Sequence, residues 1–166
     1  MRVGNAVRDP WVWGQAVLIL MVGALPLIAR SVPPESLLAR LLGPAAFIWR
    51  IGAVLPLSTG VFILIWGALS LGANLTPATE PLAEGELVER GAYAVVRHPI
   101  YLGLSLCLWA FAWWLTSPRV GLVVAIVCFA YFDRKAAVEE RWMLGRFPGY
   151  AAYRRRVGKL LPRIRT

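Results

Sequence analysis

The chain has 166 residues, enough for one domain, and 58% of them are hydrophobic. Its mean hydropathy of +0.61 is higher than a soluble domain of this size usually has. The formal net charge of +9 would suggest a nucleic-acid partner in a soluble protein, but no base-stacking or groove-reading module accompanies the basic residues. We therefore expect a membrane protein with no nucleic-acid partner.

The hydrophobic residues are concentrated in four stretches without charge. Two have about the length that crosses a bilayer as a helix, and two are shorter and suit a membrane hairpin. In chain order the four are Trp11 to Ala29, Gly52 to Gly72, Pro99 to Leu115 and Val120 to Phe132. The first could instead be a signal peptide, but its apolar core is long and no small-x-small cleavage site stands out. The sequence predicts an all-α integral membrane protein with about four transmembrane helices, the last two forming a short C-terminal hairpin.

The segments around the second stretch carry three further predictions. Ser36 to Trp49 has a mixed composition that fits an interfacial helix. Pro56 predicts a kink, because proline removes a backbone hydrogen bond inside a helix. Small residues allow another helix to approach closely, and the second stretch contains three of them, Gly60, Gly67 and Gly72.

Residues 73–97 form the one long polar connection, and its length argues against an idle linker. Around Gly91, the runs Leu87-Val88 and Tyr93 to Val96 fit a brief β-hairpin. We divide the chain here. Residues 1–72 are expected to hold the N-terminal transmembrane helices and the interfacial segment, and residues 73–166 a core of cytosolic loop, membrane hairpin and C-terminal cytosolic helices.

The C-terminal part is expected to be helical and basic. The fourth helix should run past Phe132 to Leu144, where Gly145 and the run Phe147-Pro148-Gly149 end it. A short basic helix should then begin at Tyr150. Residues 133–166 contain ten Lys or Arg residues and three acidic ones.

The distribution of positive charge predicts the orientation. With four crossing helices and cytosolic termini, fourteen Lys or Arg residues lie on the cytosolic side and four on the other. This asymmetry satisfies the positive-inside rule. We therefore expect an integral protein of a bacterial or archaeal cytoplasmic membrane, with both termini and the polar motifs below in the cytosol.

The run Arg97-His98-Pro99-Ile100-Tyr101-Leu102-Gly103 opens the third stretch. Pro99 suits the first position of a helix, whose free N–H groups favour an anion, and Arg97 adds positive charge. Each residue also has a simpler interpretation. His98 before proline could be a helix-entry residue, Arg97 could reach lipid phosphate, and Tyr101 could belong to an interfacial aromatic belt.

The pair Glu139-Glu140 follows about forty residues later. Its ordinary interpretation is a solvated helix face on which Lys135 and Glu139 form an i, i+4 pair. Glu140 is harder to explain in this way, because it shares a stripe with apolar residues and a carboxylate there needs a cationic partner. Arg97, or the positive group of a ligand, would serve.

A metal site is not indicated. His98 is the only histidine, and Cys107 and Cys128 lie in separate hydrophobic stretches without a metal-ligand spacing. Both cysteines are expected to be small packing residues.

Together these motifs resemble the isoprenylcysteine carboxyl methyltransferase family and the related phospholipid methyltransferases, integral membrane enzymes that use S-adenosylmethionine. The resemblance covers roughly residues 74–164. The matching residues are Gly91-Ala92-Tyr93, Arg97 to Gly103, Glu139-Glu140, Leu144, Phe147, Tyr150, Tyr153, Val157 and Pro162. Ala92 stands where the family often has proline, and Pro148-Gly149 replaces the usual glycine and following residue.

The resemblance implies a site at the cytosolic mouth of the hairpin, with S-adenosylmethionine as cofactor and S-adenosylhomocysteine as product. It implies catalytic roles for Arg97, His98 and Glu140. The implied cofactor-binding residues are Tyr93, Arg97, His98, Pro99, Tyr101, Gly103, Glu139, Glu140, Tyr150 and Tyr153.

The expected methyl acceptor is a lipophilic small molecule or lipidated substrate that enters from the membrane lipids. A carboxylate acceptor is the leading hypothesis, because it is already ionised at neutral pH and needs no base. A phospholipid amine would have to lose a proton, with His98 or Glu140 as the plausible base. A non-catalytic membrane scaffold or transporter component, and a membrane reductase using a nicotinamide cofactor, are the alternatives from other classes.

Overall fold

The computed structural model describes residues 7–31, 50–76, 78–79 and 85–163. In these ranges the chain forms the helices α1 (Pro10–Ser31), α2 (Val54–Leu71), α3 (Pro99–Leu115), α4 (Pro118–Arg146) and α5 (Tyr150–Arg156), with 3-10 turns at Gly72–Asn74 and Gly91–Ala94. β-Pairing in the described part of the chain is one isolated parallel bridge between Val96 and Gly158. The all-helical prediction is confirmed. The expected interfacial helix at Ser36 to Trp49 lies outside the described residues.

Among the described residues, two helices are long and apolar enough to cross a membrane. These spans are Pro10–Ile28, with 19 residues, and Val54–Asn74, with 21 residues. Only 6% and 17% of the apolar 18-residue stretch in each span is buried inside the protein. So many exposed apolar side chains on one surface indicate that this surface contacts another apolar phase. The structure therefore supports membrane association through α1 and α2. Spanning by α3 and by the apolar part of α4 stays a prediction.

The boundaries of α3 and α4 follow from local chemistry. Pro99 occupies the first turn of α3, and the preceding His98 has φ −130° and ψ 64°, outside the helical region, as expected before proline. Ser117 caps α4, because its hydroxyl accepts a hydrogen bond from the Val120 N–H at 3.3 Å. α4 then continues for 29 residues and ends at Arg146, close to the predicted end.

Glycines bring α2 and α3 into close contact. A Cβ atom on Gly103 would lie 2.8 Å from the Gly60 carbonyl oxygen and 2.8 Å from the Leu64 nitrogen. At Gly67 an added Cβ would meet Ile100 and Pro99 at 3.1 and 3.2 Å. The predicted close approach is thus confirmed at Gly60 and Gly67, and Gly103 is the partner of Gly60 on α3. The same prediction is wrong for Gly72, where an added Cβ would have nothing within 4 Å.

We expect Gly103→Ala to destabilise the protein by about 1–3 kcal/mol, because overpacking at a backbone contact forces the helices apart. The matched control is Gly23→Ala on α1, where an added Cβ has nothing within 4 Å. Thermal unfolding in detergent should show a lower midpoint for Gly103→Ala alone. Equal midpoints for the two variants would contradict the close contact.

Two expectations about local structure are wrong. Pro56 is the third residue of α2, where no intrahelical hydrogen bond is lost, so it does not kink the helix. The brief hairpin around Gly91 does not form either. Gly91, with a φ of 61°, starts a 3-10 turn, and Val96 pairs with Gly158 near the C-terminus instead.

The first turns of α1 are fastened to the rest of the protein. Asp9 accepts hydrogen bonds from the Thr79 N–H at 2.6 Å and the Thr79 hydroxyl at 2.7 Å. The Tyr131 hydroxyl of α4 donates to the Trp11 carbonyl, and the two rings lie 5.6 Å apart. Further along α1, Val22 belongs to the buried core. The start of α1, the end of α2, the start of α3 and the later half of α4 therefore lie at one end of the helices.

Candidate active site

Arg97 is fixed by hydrogen bonds along its whole length. Its backbone N–H donates to the Gly158 carbonyl at 2.8 Å. Nε donates to Glu140 Oε1 at 2.8 Å, and Nη2 lies 2.7 Å from the same oxygen. Nη1 donates to the carbonyl of Arg154 at 3.1 Å and to that of Val157. Only 9% of the surface of Arg97 is exposed. The guanidinium is therefore held in one position.

Glu140 is the buried centre of this network, with 2% of its surface exposed. Besides Arg97, it contacts His98, whose Nε2 lies 3.3 Å from Oε1, and Arg154, whose Nε lies 3.4 Å from Oε2. The other ring nitrogen of His98, Nδ1, lies 3.4 Å from Glu139 Oε2. His98 therefore bridges the two carboxylates that α4 carries side by side.

The network keeps its members charged. Burial alone would raise the pKa of Glu140, but hydrogen bonds and charges from His98 and Arg97 outweigh it and lower this pKa to about 2. Burial alone would lower the pKa of His98, yet hydrogen bonds to Glu139 and Glu140 and their charges raise it above its ordinary value. Both groups lie outside the four uncharged stretches.

These pKa shifts predict a pH window of greatest stability. The lowered pKa of Glu140 stabilises the fold above its ordinary value of 4.5, and this is lost as pH falls toward about 2. The raised pKa of His98 stabilises the fold below 6.5, and this is lost as pH rises through the folded-state pKa. We expect the thermal midpoint in detergent to be highest between pH 4.5 and 6.5.

The control for the alkaline side of this window is His98→Gln, which keeps a hydrogen-bonding side chain but cannot become charged. Its midpoint should not decline from pH 6.5 upward in the way that the midpoint of the unchanged protein does. The same alkaline decline in both proteins would show that His98 is not its source.

Tyr101 connects the network to α1. Its hydroxyl donates to Glu139, and its ring stacks on that of His98 at a centroid distance of 5.5 Å. Lys135 Nζ lies 5.1 Å from the centre of the Tyr101 ring and donates to Gln15 Oε1 at 2.9 Å. Lys135 is fully buried, with 0% of its surface exposed, so the solvated helix face predicted for Lys135 and Glu139 is wrong.

Three tyrosines form the opposite wall. The Tyr153 hydroxyl donates to the Tyr93 carbonyl at 2.7 Å, and the rings of Tyr150 and Tyr153 lie 5.7 Å apart. Burial raises the pKa of all three phenols. They therefore stay protonated and can offer hydroxyl donors and aromatic faces to a ligand.

These residues surround a cavity of about 380 Å³ at the shared end of the helices. Most of the predicted cofactor-binding residues line it, namely Tyr93, Arg97, His98, Tyr101, Glu139, Tyr150 and Tyr153. Three do not. Pro99 and Gly103 lie in the contact between α2 and α3, and Glu140 lies behind Arg97 and His98.

Sequence reasoning missed several residues of the cavity wall. The polar ones are Gln15, Asn74, Thr76, Thr79, Glu86 and Lys135. Four of these belong to residues 73–97, whose polarity and length were the available signal. Gln15 offered no signal, since it lies in an otherwise apolar stretch. Among the described residues, no group of three His, Cys, Asp or Glu side chains is arranged to hold a metal ion.

The model of the phospholipid methyltransferase family matches residues 48–148, more than half of the chain. This range contains α2, α3 and α4, with Arg97, His98, Glu139 and Glu140. No curated protein sequence matches the chain. The matched range and the motifs within it show that the chain belongs to the phospholipid methyltransferase family.

Proposed function

We propose that this protein uses S-adenosylmethionine to methylate a lipophilic acceptor, most directly a carboxylate, at the cytosolic surface of the membrane. The observation that carries the proposal is the cavity of about 380 Å³, which the family's motif residues line beside two candidate membrane helices. Its volume falls in the range of small-molecule sites, roughly 300–1,000 Å³.

The chemistry of the cavity wall fits the methyl donor. S-adenosylmethionine carries a carboxylate, an ammonium group, a sulfonium cation and an adenine ring, and when bound it supplies an electrophilic methyl group. Arg97 and His98 are cations that can meet the carboxylate, and Glu139 is an anion that can meet the ammonium or the sulfonium. Tyr150 and Tyr153 offer aromatic faces to the adenine.

Glu140 takes a different role from the one that the motif implied. Because it is buried behind Arg97 and His98, it acts as a positioning residue that orients them rather than as a group that touches the reactants. Methyl transfer is an in-line displacement governed mainly by how the two reactants are held. The three hydrogen-bonding nitrogens of Arg97 supply such a fixed orientation.

The protonation of His98 favours an acceptor that needs no base. The raised pKa of His98 favours its charged form, which cannot accept a proton. A carboxylate acceptor fits this arrangement. A phospholipid amine is the second candidate. It is favoured by the chain's membership of the phospholipid methyltransferase family and by Glu139, a carboxylate in the cavity wall that could take the amine's proton.

The apolar part of the cavity wall supports a lipophilic acceptor. Leu71 and Leu75 come from the end of α2 and the turn that follows it, and Ile100 and Leu104 come from the first turns of α3. Both helices present apolar side chains to the cavity, so an acyl or prenyl chain could lie against them there.

Calorimetric titration of the protein in detergent with S-adenosylhomocysteine tests the cofactor. We expect binding by the unchanged protein and by Glu89→Gln, and at least about tenfold weaker binding by Glu139→Gln, which loses a carboxylate in the cavity wall. No binding by the unchanged protein would refute the proposal, and detectable binding of NADPH instead would favour a reductase.

The acceptor is identified separately. Membranes containing the protein are supplied with labelled S-adenosylmethionine and a lipid extract, and the labelled product is identified by mass. A methyl ester supports the carboxylate acceptor, whereas an N-methylated phospholipid supports the second candidate. A scaffold would give no labelled product above that of Arg97→Ala.

A further inference from the structure

The backbone of the C-terminal segment holds the two cationic residues of the site. We define this segment as residues 154–163. The Gly158 carbonyl accepts from the Arg97 N–H at 2.8 Å, and the Lys159 carbonyl accepts from the His98 N–H at 3.1 Å. The Arg97 guanidinium donates to the carbonyls of Arg154 and Val157. If the segment moves, Arg97 and His98 lose four hydrogen bonds together.

The same segment lies level with the end of the apolar part of α4. Leu160 is buried in the core cluster that also contains Phe132 and Ala136. Lys159 Nζ donates to Asp133 Oδ1 at 2.7 Å. Since Phe132 is the last residue of its uncharged stretch, the segment lies where a bilayer's hydrocarbon would give way to headgroups. Leu161, with 60% of its surface exposed, can enter that boundary.

The side chains of the segment form an exposed basic surface. The side chain of Arg154 is 51% exposed and that of Arg156 is 58% exposed, and Arg155 and Arg163 are also exposed. In the described part of the chain, Glu89 pairs with Arg156 at 2.5 Å and Asp133 pairs with Lys159 at 2.7 Å, so these two acids do not neutralise the four exposed arginines. Phosphate groups of anionic lipids complement such a cluster.

We propose that residues 154–163 bind the headgroups of anionic phospholipids, and that this binding holds Arg97 and His98 in their working positions. Anionic lipid would then favour the state in which residues 154–163 are bonded to Arg97 and His98, because a ligand shifts an equilibrium toward the state that it binds better. The amount of anionic lipid in the membrane thereby regulates the site. Only the effect on methyl transfer rests on the proposed function; the effect on the backbone does not.

Amide hydrogen exchange in vesicles tests the coupling. The protein is reconstituted in phosphatidylcholine alone and in phosphatidylcholine with about one third phosphatidylglycerol. We expect the N–H groups of Arg97 and His98 to exchange at least about threefold more slowly in the anionic vesicles, because their acceptors belong to the bound segment. High salt should reduce the difference, since it screens surface charge.

The variants are chosen outside the network of Arg97 and Glu140. Each arginine removed should weaken lipid binding by about fivefold. Arg155→Gln should therefore lose much of the lipid effect on exchange, and the double variant Arg155→Gln with Arg163→Gln should lose nearly all of it. The matched control is Arg119→Gln, which removes an exposed arginine from the first turn of α4, at the opposite end of the helices. It should keep the full lipid effect.

Two results overturn the inference. One is equal exchange of the two N–H groups in neutral and anionic vesicles, and the other is an equal loss of the lipid effect in Arg119→Gln and Arg155→Gln. Slower exchange in anionic vesicles without methyl transfer to any acceptor would refute the proposed function and leave the lipid-binding surface standing.

Discussion

Replacement of Arg97 by lysine is expected to lower the rate of methyl transfer by at least about a hundredfold, although the positive charge is kept. The guanidinium uses Nε and Nη2 on Glu140 and Nη1 on two backbone carbonyls. A lysine ammonium is a single point donor and cannot span these acceptors. Glu140 would then keep only His98 and Arg154 as partners, and the carbonyls of Arg154 and Val157 would lose the hydrogen bonds from Nη1. The cation would no longer be held at the cavity.

Initial rates with labelled S-adenosylmethionine, measured on protein in vesicles, give the test. Arg90→Lys is the matched control, because it makes the same exchange at an exposed position in the loop before the motif. It should keep the rate within about twofold, as surface substitutions usually do. Near-normal rates for Arg97→Lys would mean that the site uses only the positive charge at this position and not the hydrogen-bonded guanidinium.

The meeting of the two motifs could be predicted from the sequence. Arg97 and Glu140 are 43 residues apart, and the apolar stretches between them have the lengths of a helical hairpin. A hairpin returns the chain to the end where it started, so the start of α3 and the later half of α4 must be neighbours. Capping residues marked the hairpin's turn and both helix starts, since Pro99, Ser117 and Pro118 have strong positional preferences.

Which side chains of α4 are buried could not be predicted in this way. Lys135 and Glu139 occupy helix positions that suit a solvated pair, yet Lys135 faces Gln15 of α1 and the Tyr101 ring. Which side of α4 is covered depends on how α1 packs against it, and α1 carries no motif that specifies this contact. Glu140 was recognised as needing a cation. Its place behind Arg97, rather than in the cavity wall, follows only from the packed structure.

The role of the C-terminal segment was also beyond local reasoning. The run around Gly91 has the composition of a hairpin, but Gly91 turns the chain into a 3-10 turn and Val96 pairs with Gly158. This pairing joins residues that are distant in sequence through backbone groups, which carry no sequence signal. The basic run Arg154 to Arg156 is recognised from its charged side chains, but nothing in the sequence indicates that the Arg154 carbonyl accepts a hydrogen bond from Arg97.

Glu140→Gln is expected to lower the free energy of unfolding by about 3 kcal/mol, because it leaves Arg97 and His98 buried without their shared counter-charge. Glutamine keeps the shape and one acceptor oxygen, so the change isolates the charge. The rate of methyl transfer should fall with it, since both cations of the cavity wall lose the group that orients them.

Chemical unfolding in detergent measures the stability change, and Glu89→Gln provides the comparison. Glu89 also pairs with an arginine, at 2.5 Å, but its side chain and that of Arg156 are 35% and 58% exposed. Exposed ion pairs contribute about 0–1 kcal/mol, so Glu89→Gln should be nearly neutral. If the two variants lost equal stability, Glu140 would not be the buried counter-charge of the site, and Arg97 would have to be oriented by the carbonyls of the C-terminal segment alone.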